Sequence, residues 1–196
     1  MRVITGIAKG RKLESPKGAD TRPTSEMVKE AVMSMVQFEL EGTSFLDLYA
    51  GCGQMGIEAL SRGAHRCVFV DNAREACELI RRNLENTKLL SSSLVSMSDV
   101  NTWLKTARGP FDIAFVDPPY EQEGTPKIIA RLSELMRESG IILVECPIKT
   151  SVPEKAGEFS LKREYQYGKT KIARYELVDS KSIACGDDFK KGRAPL

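Results

Sequence analysis

Leu46-Asp47-Leu48-Tyr49-Ala50-Gly51-Cys52-Gly53-Gln54-Met55-Gly56 decides the fold class of this chain. An apolar run that reads as a strand passes into glycines at 51, 53 and 56, in G-x-G-x-x-G register, and then into a helix-forming stretch. Glycine at such a strand-to-helix turn allows tight backbone geometry and lets a ligand approach the main chain. Outward from it, Phe45–Tyr49, Cys67–Val70, Phe111–Val116 and Ile141–Val144 are short apolar runs. Helical patterns near Met55–Ser61, Arg74–Asn86 and Pro126–Glu138 lie between them. This alternation predicts an α/β fold with a mostly parallel sheet covered on both faces.

Ser91–Met97 is weak in strand character and takes third place by order alone. Phe159–Tyr167 and Thr170–Val178, separated by Gly168-Lys169, predict an antiparallel hairpin closing one edge of the sheet. Before the glycine loop, Arg2 to Pro16 reads as a small hairpin turning at Lys9-Gly10. Val28, Ala31, Val32, Met35 and Val36 then mark the buried face of a helix. The organisation expected is a hairpin-and-helix extension over 1–42, a main domain over 43–178, and a polar tail over 179–196.

Composition excludes several classes of function. The formal charge is +2 and 41% of residues are hydrophobic, so one substantial core is expected and no strong net field gathers polyanions. Cys52, Cys67, Cys77, Cys146 and Cys185 form no C-x-x-C pair, and reduced thiols in a cytoplasmic protein fit best. With these dispersed cysteines and His65 as the one histidine, no metal site is expected. No apolar run approaches the length of a membrane span, so no membrane partner is expected.

Asp71 ends the strand after the glycine loop, where a carboxylate accepts hydrogen bonds from ribose hydroxyls. Loop and carboxylate suit a nicotinamide dinucleotide as well as S-adenosylmethionine. Asp47 discriminates: a carboxylate there repels a pyrophosphate and attracts an ammonium and a sulfonium, which favours S-adenosylmethionine. The expected cofactor-binding residues are Asp47, Tyr49, Gly51, Gly53, Asp71, Asn72 and Asp99. Asp99 serves either the adenine amino group or a helix N-terminus as its cap.

Asp117-Pro118-Pro119-Tyr120 follows the Phe111–Val116 strand, at the edge predicted for the glycine loop. The lone pair of an exocyclic base amine is delocalised into its ring, so acceptors that hold the N–H groups would aim it at a methyl carbon. Asp117 and the Pro118 carbonyl have that chemistry, and Tyr120 offers a face on which an extruded base stacks. Asp117, Pro118 and Tyr120 are therefore the expected catalytic residues, acting on an amine of a nucleic-acid base. Lys9, Arg11, Lys12, Lys17 and Arg22 concentrate positive charge in the first part of the chain, where phosphate contacts beside the predicted aperture are expected.

With these motifs in place the chain resembles the RsmD-type 16S ribosomal RNA guanine-N2 methyltransferases, over Arg2 through Tyr175. The likeness is carried by Gly10-Arg11-Lys12-Leu13, Thr21-Arg22-Pro23-Thr24 with Val28-Lys29-Glu30-Ala31, Leu46 to Gly51, Glu58 to Ala64, Asp117 to Tyr120, and Tyr167-Gly168-Lys169-Thr170. It implies a class I S-adenosylmethionine methyltransferase fold, Rossmann-like, with a seven-stranded sheet and one reversed strand. It also implies 16S ribosomal RNA, or a small-subunit assembly particle, as partner. By the same analogy the hairpin, with Lys9, Arg11 and Lys12, and Arg22 and Thr24 after it help bind RNA and close over the cofactor. The family often has Phe where this chain has Tyr120 and Glu where it has Asp71. Another acceptor (adenine, cytosine or a protein amide), a nicotinamide-dependent dehydrogenase, and a catalytically idle RNA-binding protein stay open as alternatives.

Overall fold

The computed structural model describes residues 1–16, 26–119 and 125–177. Lys17, Arg22, Thr24, Tyr120, Cys185 and the 179–196 tail lie outside them. The elements run α1 (Glu26–Met35), β1 (Ser44–Leu48), α2 (Gln54–Ser61), β2 (Arg66–Asp71), α3 (Arg74–Thr87), β3 (Ser93–Met97), α4 (Val100–Thr106), β4 (Phe111–Val116), α5 (Thr125–Ser133), β5 (Met136–Pro147), β6 (Lys155–Ala156), β7 (Phe159–Tyr167) and β8 (Thr170–Leu177). One sheet has the order β3-β2-β1-β4-β5-β8-β7-β6.

β1 lies between β2 and β4 in parallel register, and every one of its side chains is buried. An apolar run without alternation is what a strand covered on both faces requires. One face packs Phe45, Phe69, Phe115 and Leu143 against α1, α2 and α3. The other packs Leu46, Val70, Val116 and Val144 against α4 and α5. The weak strand β3 is an edge that pairs only with β2 among the described strands, which explains its poor apolar signal.

Three expectations need correction. First, the sheet has eight described strands, because the two-residue β6 pairs with β7. β7 and β8 form the expected antiparallel hairpin at that side of the sheet, with β8 reversed against β5. Second, Met136 to Glu138 do not continue α5 but begin β5, where Met136 registers with Phe111. The helical periodicity of that stretch loses to pairing with β4, a tertiary contact that local pattern cannot encode.

Third, α1 turns a different face to the core, although the N-terminal hairpin forms: Arg2 bridges Lys12 in antiparallel register, and the Val3, Gly10 and Leu13 amides donate to the Arg11, Val3 and Met1 carbonyls at 2.9–3.0 Å. Other backbone donors of this segment bond α2: the Ile4 and Thr5 amides each reach the Glu58 carboxylate at 2.9 Å, and the Ile7 amide reaches the Ser61 carbonyl at 2.8 Å. The same contacts rotate α1. Val28, Val32 and Val36 are buried as expected, but Lys29 and Met33 join them while Ala31 and Met35 sit half-buried. Lys29 is drawn inward because its ammonium lies 3.4 Å from Glu58 and donates to the Arg2 carbonyl at 2.6 Å.

Gly6 permits this docking. Its φ is +87°, and a Cβ there would overlap the Ser61 carbonyl. Gly6→Ala should therefore cost about 1–3 kcal/mol through strain and overpacking together, read as a lower denaturation midpoint; an unchanged midpoint would show that the segment can lift off α2 without penalty.

Candidate active site

The carboxyl ends of β1, β2 and β4 point to one rim. Leu48 registers with both Val70 and Val116, so the glycine loop and the Asp117 turn leave the sheet at the same level. The Asp117 amide faces the Leu48 carbonyl at 3.4 Å. Between the loops lies a cavity of about 370 Å³, lined by Tyr49, Asp71, Asn72, Asp99, Val100, Asp117 and Pro119. Five of the predicted site residues are thus brought to one cavity. Pro118 is buried in the adjoining turn, and Pro119 is exposed.

The loop's shape is costly for ordinary residues. Tyr49, Gly51 and Gly53 all have positive φ, at 61°, 56° and 76°. For a tyrosine this is a strained conformation of the kind that collects at ligand sites. Asp71 braces the loop: one carboxylate oxygen accepts from the Gly51 amide and the other from the Ala73 amide, both at 2.9 Å. Each oxygen keeps a second lone pair, enough to meet ribose hydroxyls. Asp99 caps α4, accepting from the Thr102 amide at 2.9 Å, and also lines the cavity. Both roles read for it from sequence are compatible, because its other oxygen is left to the cavity.

Asp47 sits below the loop rather than in the cavity wall. It is buried, and it accepts from the Gly56 amide at 2.9 Å. Burial pushes its carboxyl up to about 8, against the lowering effect of that hydrogen bond and with help from Asp71. None of the described lysines or arginines is ion-paired with it. The folded form holds this proton where the unfolded chain has released it, between pH 3.8 and about 8. The free protein should therefore lose stability as pH rises through that window. A bound cation favours the carboxylate, so cation binding should release protons just below pH 8, as calorimetry in buffers of different ionisation enthalpy would show.

Gly56 serves packing: a Cβ there would run into Phe69 and Cys67 of β2. It seats α2 against the sheet, the third glycine's function in such a loop.

Two residues that the sequence reading passed over belong to this site. Glu145, on β5, is buried, and together with Asp47 it raises the Asp117 carboxyl well above the usual carboxylate range, burial being the larger cause. Its signal was available: an acid that follows an apolar run, as at Asp47 and Asp117. Asn83, buried on α3, donates to the Cys52 carbonyl in the loop at 2.9 Å and to the Glu14 carbonyl at 3.1 Å, while accepting from the Glu14 amide at 2.8 Å. It ties the N-terminal segment to the loop, and nothing in a helical pattern announces that.

Of the predicted basic residues, the described ones, Lys9, Arg11 and Lys12, do not line the cavity. The Gly6–Gly10 turn that carries Lys9 docks at Ser61, the last residue of α2. Arg11 donates to the Asn86 carbonyl at 2.7 Å, near the end of α3, and the Asn86 side chain donates back to the Lys12 carbonyl at 2.7 Å. Both helices start at the rim and run away from it. At about 1.5 Å per residue the Lys9 turn lies roughly 10 Å along α2 from the glycine loop, whereas Asn86, which holds Arg11 and Lys12, stands three residues beyond Asn83, whose side chain bonds the Cys52 carbonyl of the loop.

Among the described residues no cluster of three or more His, Cys, Asp or Glu side chains is disposed to hold a metal. No helix among them is long and apolar enough to cross a membrane.

The comparisons with known proteins agree with this geometry. The model of the family described as conserved hypothetical protein 95 matches residues 1–176. YlbH of Bacillus subtilis is 36% identical over 181 residues, 90% of this chain and 98% of its own length. Ribosomal RNA small subunit methyltransferase D of Escherichia coli is 29% identical over 178 residues, 90% of this chain and 89% of its own. Among solved structures, the Escherichia coli protein yhhF superposes with a TM-score of 0.81 at 29% identity, covering 90% of this chain and 97% of that one. The chain thus belongs to the conserved hypothetical protein 95 family, RsmD-type methyltransferases of the class I fold, as its motifs and its rim of strand-end carboxylates had indicated.

Proposed function

We propose that this chain transfers a methyl group from S-adenosylmethionine to the exocyclic N2 amine of a guanine in 16S ribosomal RNA, in the cytoplasm. One observation carries the choice of donor. The cavity between the loops is lined by three carboxylates, Asp71, Asp99 and Asp117, and by no basic side chain among the described residues. Such a lining attracts an ammonium and a sulfonium and repels the pyrophosphate of a dinucleotide. The fit is also steric, since Gly51 leaves the loop backbone open, with nothing near the place of a Cβ.

When bound, S-adenosylmethionine supplies a methyl carbon on a sulfonium, which departs as a neutral thioether. Asp71 holds the loop and offers acceptors to the ribose, Asn72 and Asp99 face the adenosine side, and Tyr49 forms the wall between the two halves of the cavity. Asp47 acts from beneath as a positioning residue whose charge favours the cationic ligand. On the acceptor side, Asp117 and the Pro118 carbonyl accept the two N–H groups, and the nitrogen lone pair faces the donor. Attack by the lone pair on that methyl carbon, with the thioether leaving, would give the nitrogen one proton to shed. The raised proton affinity of Asp117 suits it to take that proton. Tyr120 is assigned to stacking of the base from the sequence alone.

The choice of RNA rests on the relatives, one of which is named ribosomal RNA small subunit methyltransferase D. Incubation with labelled donor and small-subunit particles lacking the modification, followed by nucleoside analysis, should give labelled N2-methylguanosine. Label in adenosine or in protein would reassign the acceptor, and donor binding without label in any RNA would end the enzymatic reading.

A further inference from the structure

The cavity is acidic and none of Lys9, Arg11 and Lys12 lines it, so the phosphates flanking a target base need a basic surface on the acceptor side of the rim. The β7–β8 hairpin carries one. β5 runs on past Val144 to Pro147, which registers with Thr170, and the Ile148 amide donates to the Lys169 carbonyl at 3.0 Å. At about 3.3 Å per residue, the hairpin tip stands roughly 10 Å beyond the level at which Asp117 leaves β4, with β8 two strands and β7 three strands from β4.

From Phe159 to Lys171 the hairpin carries Lys162, Arg163, Lys169 and Lys171 against one acid, Glu164, whose carboxylate is ion-paired with Lys171 at 2.5 Å. Lys162, Arg163 and Lys169 are exposed, as is Lys149 across the tip. Between them stand two half-buried aromatic rings, Tyr165 and Tyr167. The Arg163 guanidinium lies 5.1 Å from the Tyr165 ring centroid. Tyr167 packs against the core cluster that also holds α1 and α2 residues, which fixes its ring. Aromatic faces interleaved with cations along one strand match an unpaired nucleic-acid segment, whose bases stack while its phosphates meet the cations. An acidic peptide would use the charges but not the ring faces.

We infer that Arg163, Tyr165, Tyr167 and Lys169, with Lys149 across the tip, form a platform for an unpaired stretch of RNA adjoining the base presented at Asp117. This inference rests on the RNA methylation reading and adds the surface by which the substrate is held. The platform sets RNA affinity on the acceptor side of the cavity and leaves donor binding to the glycine loop.

The test uses the full chain with two probes, a short unstructured oligoribonucleotide and small-subunit particles lacking the modification. Tyr165→Ala should weaken oligoribonucleotide binding about tenfold, within what stacking of one base contributes, and Tyr165→Phe should restore it. Lys169→Gln, an exposed change with little effect on folding, should lower the slope of log affinity against log salt by roughly 0.7. S-adenosylhomocysteine affinity, read by calorimetry, should follow the wild type in all three variants. Oligoribonucleotide affinity changed by less than about twofold in both Tyr165→Ala and Lys169→Gln overturns the platform, as does a loss confined to particles, which would point to a protein contact. If the wild type methylates no RNA while these binding losses still appear, the activity reading falls and the platform stands.

Discussion

Asp117→Ala should lower the rate of methyl transfer on the order of 10²- to 10³-fold, the scale found when one preorganised electrostatic partner of a transition state is removed. S-adenosylhomocysteine affinity should change far less, because the donor half of the cavity (Tyr49, Asp71, Asn72 and Asp99) is untouched. The substitution also removes one of three mutually repelling acids, with Asp47 and Glu145, so the protein should not lose stability. A stable, donor-binding, inactive variant is therefore expected. The wild-type rate should rise with pH, since Asp117 must be ionised to accept the proton and its pKa is raised by burial and by Glu145 and Asp47. Glu145→Gln should shift that profile toward lower pH by removing one of these charges. Equal losses of donor affinity and rate in Asp117→Ala would reassign the residue to cofactor binding, and an unshifted profile in Glu145→Gln would remove the electrostatic link.

Glu58→Ala should cost about 3–5 kcal/mol of stability, measured as a fall in denaturation free energy, because it strands a buried cation and leaves two part-buried amides without their acceptor. Glu58 is fully buried, and its carboxylate accepts from the Ile4 and Thr5 amides and from the Arg62 guanidinium, each at 2.9 Å, with the Lys29 ammonium at 3.4 Å. One side chain thereby joins the N-terminal segment, α1 and α2. Exposed pairs such as Arg74 with Glu78 make a contrast: there water already solvates both partners, and Glu78→Ala should leave the denaturation midpoint almost unchanged. If the two variants had similar stability, the Glu58 knot would not be what holds the N-terminal segment to the domain.

The lesson of Glu58 applies to the chain as a whole. Periodicity reports which side of an element is apolar, so β1, β2, β4, α2 and α3 were legible from residue types alone. So was the rim chemistry. Glycines at 51, 53 and 56 and acids at 47, 71 and 117 stand at or just beyond strand ends, and parallel strands must bring their carboxyl ends to one edge.

What periodicity cannot report is the partner. Lys29 reads as the polar flank of α1 until Glu58, far along the chain, draws it into the core. Lys9 reads as a neighbour of the aperture because it is near it in sequence, yet Gly6 and Ser61 dock its turn at the far end of α2. The order of β8 between β5 and β7, and with it the place of Tyr165 and Lys169 on the rim, is likewise a product of register. Residue types along the chain determined the elements and the chemistry at their ends. Long-range hydrogen bonds and buried charges, which depend on groups distant in sequence meeting in a medium too apolar to leave them unpaired, decided where the rest of the surface faces.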